Sequence, residues 1–119
     1  GLVNGHTHLS NGITRGLFDE LPLAEWVDKG MWPTMRASTF ESAYHGARVA
    51  LSENLLGGVT TTVVGEFGVP ARDMMDGVLR AVTESRSRSV VARISVDSTD
   101  EHDPSQATPP DVRRARGAV

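Results

Sequence analysis

The sequence predicts an α/β fold built on a parallel sheet, and three observations carry that prediction. Apolar and β-branched runs alternate with stretches of helical periodicity: a short run ending at Gly5, then "VTTTVVG" at 59–65 and "VVARISV" at 90–96. These runs are continuous rather than alternating, as in strands covered on both faces. The stretches between them are long enough for the right-handed crossovers that parallel neighbours require. The order is strand, long loop, helix, strand, helix, strand, loop and the start of a helix. Three strands and two full helices make either a small open α/β layer or the first three βα units of a longer barrel. The second arrangement explains both abrupt ends.

Each element has a local reason. Residues 1–5 read as a short buried strand that ends at His6 and His8. Residues 9–37 form a long stretch rich in Gly and Pro, and connections of that length are usually functional or mobile. Inside it, "LPLAEWVDKG" predicts a short helix, with Pro22 at the first helical position and Gly30 just past the end. Ser38 and Glu41 have the spacing of a capping box. Phe40, Tyr44, Ala47, Leu51 and Leu55 then recur on one helical stripe, and Gly57 with Gly58 supplies the stop. In "VPARDMMDGVLRAVTESRSRS", Pro70 sits near a helix start, and Met74, Met75, Val78 and Val82 share a face. From Asp97 the chain turns polar, and Thr108, Pro109 and Asp111 look like the opening of another helix. Residues 1–96 are therefore expected to be ordered βα units, and 97–119 a loop and the start of a helix.

Composition narrows the function classes. The 119 residues suffice for one domain. Twelve basic against fifteen acidic residues leave a net charge of −3, which gives no electrostatic reason to expect nucleic acid or an anionic membrane. There is no cysteine, which excludes disulfides, thiolate zinc sites and Cys-ligated base deaminases. No apolar run approaches the ~18 residues needed to span a bilayer. No signal peptide is visible, so the expectation is cytoplasmic. Residue 1 is Gly, and the first strand starts without a lead-in, as in a piece of a longer chain.

The chemistry lies in "GLVNGHTHLS". Alternate strand residues share a face, so His6 and His8 point the same way, with Asn4 on that side. Two imidazoles one strand repeat apart can converge on a single ion, and neutral imidazole suits zinc, iron, nickel or copper. The pair also ends a strand, where parallel α/β folds place their chemistry. Ordinary polar packing is the competing reading. Two stacked, buried imidazoles would need hydrogen-bond partners and would repel if charged, and a metal removes both costs. A hydrolytic site needs a third protein ligand. His45 falls mid-helix, and His102 lies in the acidic loop "DSTDEHDP", so further ligands are expected beyond Val119.

Together, "GLVNGHTHLS", "TRGLFDELPLAEWVDKGMWP" and "ALSENLLGGVTTTVV" resemble the amidohydrolase superfamily, in its cyclic-amidine and aminohydrolase branch. That branch holds adenosine-type, S-adenosylhomocysteine, guanine and 8-oxoguanine deaminases and triazine hydrolases. The likeness covers residues 1–65 well and 66–96 in pattern only. It implies a partial (β/α)8 TIM barrel, about the first three βα units, with a metal at the carboxyl-terminal mouth. His6 and His8 would be metal ligands for a divalent ion, zinc first, with iron or nickel as alternatives. Later strands of the family add two histidines and a proton-shuttling aspartate, so no catalytic residue falls within this chain.

The implied activity is metal-dependent hydrolysis of a non-peptide C–N bond, deaminating a cyclic amidine such as an aminopurine through a metal-activated water. The alternatives are a triazine-type chlorohydrolase or alkylamine hydrolase on the same fold, or a truncated, inactive partial domain. The isolated chain is expected to be inactive. Glu25 and Trp26, on the loop above the mouth, would bind substrate: the carboxylate by gripping a ribose or amino group, the indole by stacking on the ring. Trp32 is expected to pack, Arg15 to be solvated, and Glu66, at the end of the second strand, to face the mouth. The expected partner is a small heterocycle, with no nucleic acid and no membrane; a homo-oligomer of the full-length protein fits as well.

Overall fold

The computed structural model describes residues 1–67 and 72–94. Three parallel strands, β1 (Leu2–Thr7), β2 (Val59–Phe67) and β3 (Arg88–Ile94), form one sheet in the order β1-β2-β3. Between β1 and β2 run a 3₁₀ turn (Leu9–Ile13), α1 (Leu23–Trp26), a π turn (Val27–Met31), α2 (Trp32–Ala37) and α3 (Phe40–Leu56). Helix α4 (Arg72–Ser85) crosses from β2 to β3. This is the βαβαβ run expected from the sequence. Pro70, His102 and the helix start expected near Thr108 lie outside the described residues.

One face of the sheet carries the core. Val64 of β2 packs with Ala43, Ala47 and Leu51 of α3 and with Met74, Val78 and Ala81 of α4. Leu9 and Met35, from the long connection, close the same cluster. In β2 the even positions Thr62, Val64 and Glu66 are buried, so they face the helices, and the odd positions face the other way. β1 departs from expectation. Leu2 and Val3 are 64% and 66% exposed, not buried; among the described strands β1 pairs with β2 alone, and none of its residues joins the core cluster.

The long connection is more regular than its composition suggests. Gly30 does not end the helix that Pro22 opens; the turns continue to Ala37. Pro33 has no N–H to give the carbonyl four residues back, and a widened π turn immediately before it carries the chain past that defect. Gly30 is buried for another reason: a Cβ there would lie 2.7 Å from the Phe18 ring. The cap of α3 is shifted by one residue from expectation. Thr39 and Ser42 form the reciprocal box, Thr39 Oγ1 accepting the Ser42 N–H at 3.2 Å and Ser42 Oγ accepting the Thr39 N–H at 2.9 Å. The Ser38 hydroxyl instead donates back to the Thr34 carbonyl of α2.

The stripe on α3 is also narrower and smaller than periodicity implied. Ala43, Gly46, Ala47 and Leu51 are buried, whereas Leu55 is 43% exposed. Small residues let two elements approach closely. A Cβ on Gly46 would lie 2.5 Å from the Ser10 carbonyl oxygen, and one on Gly12 would collide with the Gly46 carbonyl. The 3₁₀ turn therefore rests directly on the α3 backbone. Gly46→Ala is expected to destabilise the fold by ~1–3 kcal/mol through overpacking, and Thr39→Ala by ~1 kcal/mol through loss of the cap. Urea unfolding checks both, and equal stability of Gly46→Ala and the parent would contradict the close approach.

Candidate metal centre

The register of β1 decides where the histidines point. Asn4 pairs with Thr62 and Thr7 with Val64, so three steps along β1 match two along β2. That bulge inverts the facing of the residues beyond it. Asn4 reaches toward the helices, its amide donating to Asn54 Oδ1 of α3 at 3.3 Å. It does not share a face with the histidines, contrary to simple alternation. Its Oδ1 instead accepts the His6 N–H at 3.2 Å, inside the bulge. His6 and His8 stand on the opposite face, with the odd residues of β2.

There the two rings come together. Their centroids are 5.0 Å apart and their planes nearly perpendicular, at 89°. His8 is half-buried, and its ring lies parallel to Phe67 at 6.1 Å; Trp32 meets Phe67 edge-on at 5.9 Å, the packing role expected of it. His8 Nδ1 lies 2.5 Å from the Gly65 carbonyl oxygen. A carbonyl can only accept, so Nδ1 carries the proton and Nε2 presents its lone pair. Gly65 faces the ring, where a Cβ would come within 3.7 Å of His8 Cε1. His6 is exposed. Two converging imidazoles, one with its tautomer locked by a backbone acceptor, fit a divalent ion of borderline softness such as zinc. Among the described residues no group of three or more His, Cys, Asp or Glu side chains could hold an ion. The chain thus presents two imidazoles side by side on one face of the sheet.

A cavity of about 350 Å³ opens beside His8, and Trp26, Asp19, Arg15 and Met31 help to line it. A smaller one, about 100 Å³, connects His8 and Trp26 to Met31, Met35 and Met74. Trp26 lines both cavities. Glu25 does not line either cavity; its exposed carboxylate is bound by Lys29 one helical turn on, at 2.6 Å. Arg15 is not simply solvated, since it grips Glu53 of α3 through both terminal nitrogens, at 3.1 and 2.5 Å, and holds that carboxyl below its ordinary pKa. His45 is exposed on α3.

Glu66 differs most from expectation. It does not face the mouth; as an even residue of β2 it turns under the 3₁₀ turn, 1% exposed. Its two oxygens accept the Ser10 N–H at 2.9 Å and the Ser10 hydroxyl at 2.8 Å. Burial pushes its pKa above the ordinary carboxylate value, and the Ser10 bonds oppose that rise. Its sequence signal was a lone carboxylate in the apolar run "TTTVVGEF".

The sequence model of the amidohydrolase family matches residues 1–117. The chain belongs to the amidohydrolase family. Among curated relatives, a 5-methylthioadenosine/S-adenosylhomocysteine deaminase of Carboxydothermus hydrogenoformans is 36% identical over 93 residues, 78% of this chain and 20% of that protein. A 5'-deoxyadenosine deaminase of Methanocaldococcus jannaschii is 35% identical over 101 residues, 85% of this chain and 23% of that protein. This amidohydrolase chain spans about a fifth of the length of such relatives. A mutant of the atrazine chlorohydrolase TrzN from Arthrobacter aurescens TC1, solved with zinc and atraton, superposes with a TM-score of 0.79 at 26% identity. That match covers 98% of this chain and 29% of the other. The βαβαβ run described above is thus part of a TIM barrel of the amidohydrolase type.

Because the raised pKa of Glu66 favours its protonated form in the folded state, that group's stabilising contribution is full below the ordinary carboxylate range. It is lost as pH rises through the raised value. Glu66→Gln is expected to flatten this decline. Unfolding free energies measured from the acid side to neutrality check it, and parallel curves for the two proteins would refute it.

Proposed function

We propose that, in its full-length context, this amidohydrolase hydrolyses a C–N bond of a cyclic amidine, releasing ammonia from an aminopurine or a related heterocycle. The observation that carries the reading is the His6–His8 pair with the His8 tautomer locked by Gly65. The deaminase names of the relatives support the substrate class. We take zinc as the resident ion, by analogy with the zinc-bound structural neighbour, and place the protein in the cytoplasm. Among the described residues no helix is long and apolar enough to cross a membrane.

The roles of this chain's residues follow from their positions. A divalent ion bound here would supply a water with a pKa lowered to about 7, a hydroxide nucleophile at neutral pH. His8 presents Nε2 while its Nδ1–H stays on Gly65, and His6 offers the second imidazole from the same face. Trp26, on the wall of the larger cavity, presents a flat apolar surface on which a planar heterocycle can stack. Glu25, engaged with Lys29, is given no substrate contact.

A second reading keeps the site and changes the leaving group to chloride or an alkylamine. It is favoured by the methionine-lined smaller cavity, which suits an alkyl substituent, and by the structural neighbour's chlorohydrolase name. A screen of aminopurines, aminopyrimidines and triazines on the longest reading frame containing this chain separates the two: ammonia release supports the first, chloride or alkylamine release the second. His6→Ala or His8→Ala in that protein should abolish stoichiometric metal and turnover; retention of both would end the proposal. Trp26→Ala is expected to raise KM by ~5–30-fold, the loss of ~1–2 kcal/mol of stacking contact, with metal content unchanged.

A further inference from the structure

Glu66 is the only charged side chain buried among the described residues. A buried carboxylate is costly to desolvate, and its neighbour on the same face, Val64, shows that an apolar residue packs well against these helices. What Glu66 does there is specific. The turn after His8 begins without a side-chain cap of its own, so its first N–H groups need acceptors from elsewhere. Glu66 supplies one across the sheet, taking the Ser10 N–H and the Ser10 hydroxyl on its two oxygens. The residue before it, Gly65, holds the His8 ring through its carbonyl. Successive residues of β2 thus hold His8 from both faces of the sheet: the ring from one side and the main chain just beyond it from the other.

We propose that Glu66 is a positioning residue for His8, a clamp on residues 9–10 that fixes where the imidazole presents Nε2 to a metal ion. This rests on the reading of His6 and His8 as metal ligands. The Ser10 carbonyl packs against Gly46 of α3, so the clamped turn also sits on a rigid helix and transmits displacement of its backbone to His8.

The test measures zinc affinity by competition with a chromophoric chelator, with thermal stability of the metal-free protein measured in parallel. It uses the longest reading frame containing this chain. Glu66→Leu keeps the volume and removes the clamp; zinc affinity is expected to fall ~10–100-fold, the range for losing a group that orients a ligand. Glu66→Gln can accept the Ser10 N–H and donate to the Ser10 hydroxyl, and is expected to restore most of that affinity. A merely structural role would lower stability and leave the zinc affinity of folded Glu66→Leu at the parental value, and that result overturns the proposal. Should Glu66→Leu not fold, Ser10→Ala removes one bond of the clamp and is expected to weaken zinc several-fold; unchanged affinity there also overturns it. His8→Ala run alongside separates the two failures. If it loses zinc while Glu66→Leu does not, the clamp alone is wrong; if it keeps zinc, the metal reading falls and the clamp with it.

Discussion

The extra residue in β1 between Asn4 and Thr7 is the constraint on which the site depends. In a regular strand Asn4, His6 and His8 would share a face, and Asn4 faces α3. The histidines would then be directed into the helix layer, against a core of Leu, Met, Ala and Val, with no room to converge on an ion. One unpaired residue reverses the facing and delivers both rings to the other side. Asn4 stabilises the distortion by spending its amide on Asn54 and its oxygen on the His6 N–H. The side chain thus fills the hydrogen-bonding gap that the bulge opens.

Beyond the bulge, precision comes from β2 and not from β1. Among the described strands β1 pairs with β2 alone, and its first apolar residues are exposed. β2 lies between β1 and β3 and is packed against the helices, so it is the rigid reference. Gly65 meets the His8 ring from one face through its carbonyl, and Glu66 reaches the chain after His8 from the other. Glycines do comparable work in the helix layer. Gly12 and Gly46 bring the 3₁₀ turn onto α3, and a Cβ on Gly77 of α4 would collide with the Phe40 carbonyl of α3. Close backbone approach is what lets a segment with few large side chains of its own sit still.

The long connection shows how the same chain serves both packing and access. Its helical turns place Met35 in the core and pack Met31 and Trp32 against it, while Trp26, Met31 and Met35 also line the cavities beside His8.

Local patterning determined a good deal. The β-branched run at 59–65, the paired glycines after α3, the helical faces of α3 and α4 and the H-x-H at a strand end were legible because each depends on near neighbours along the chain. The motif spacing also carried the family. What only the tertiary structure decided depends on partners far away in sequence. The bulge in β1 needs the register against β2. The cap lies at Thr39, while the Ser38 hydroxyl bonds back to α2. Glu25 was lost to Lys29, a pairing that helical spacing permits but does not compel. Glu66 took its role from Ser10, 56 residues away, since a buried carboxylate adopts whatever donors the fold brings to it. One-dimensional spacing records which residues can share a face; which face that is, and what waits there, is set when the strands pair.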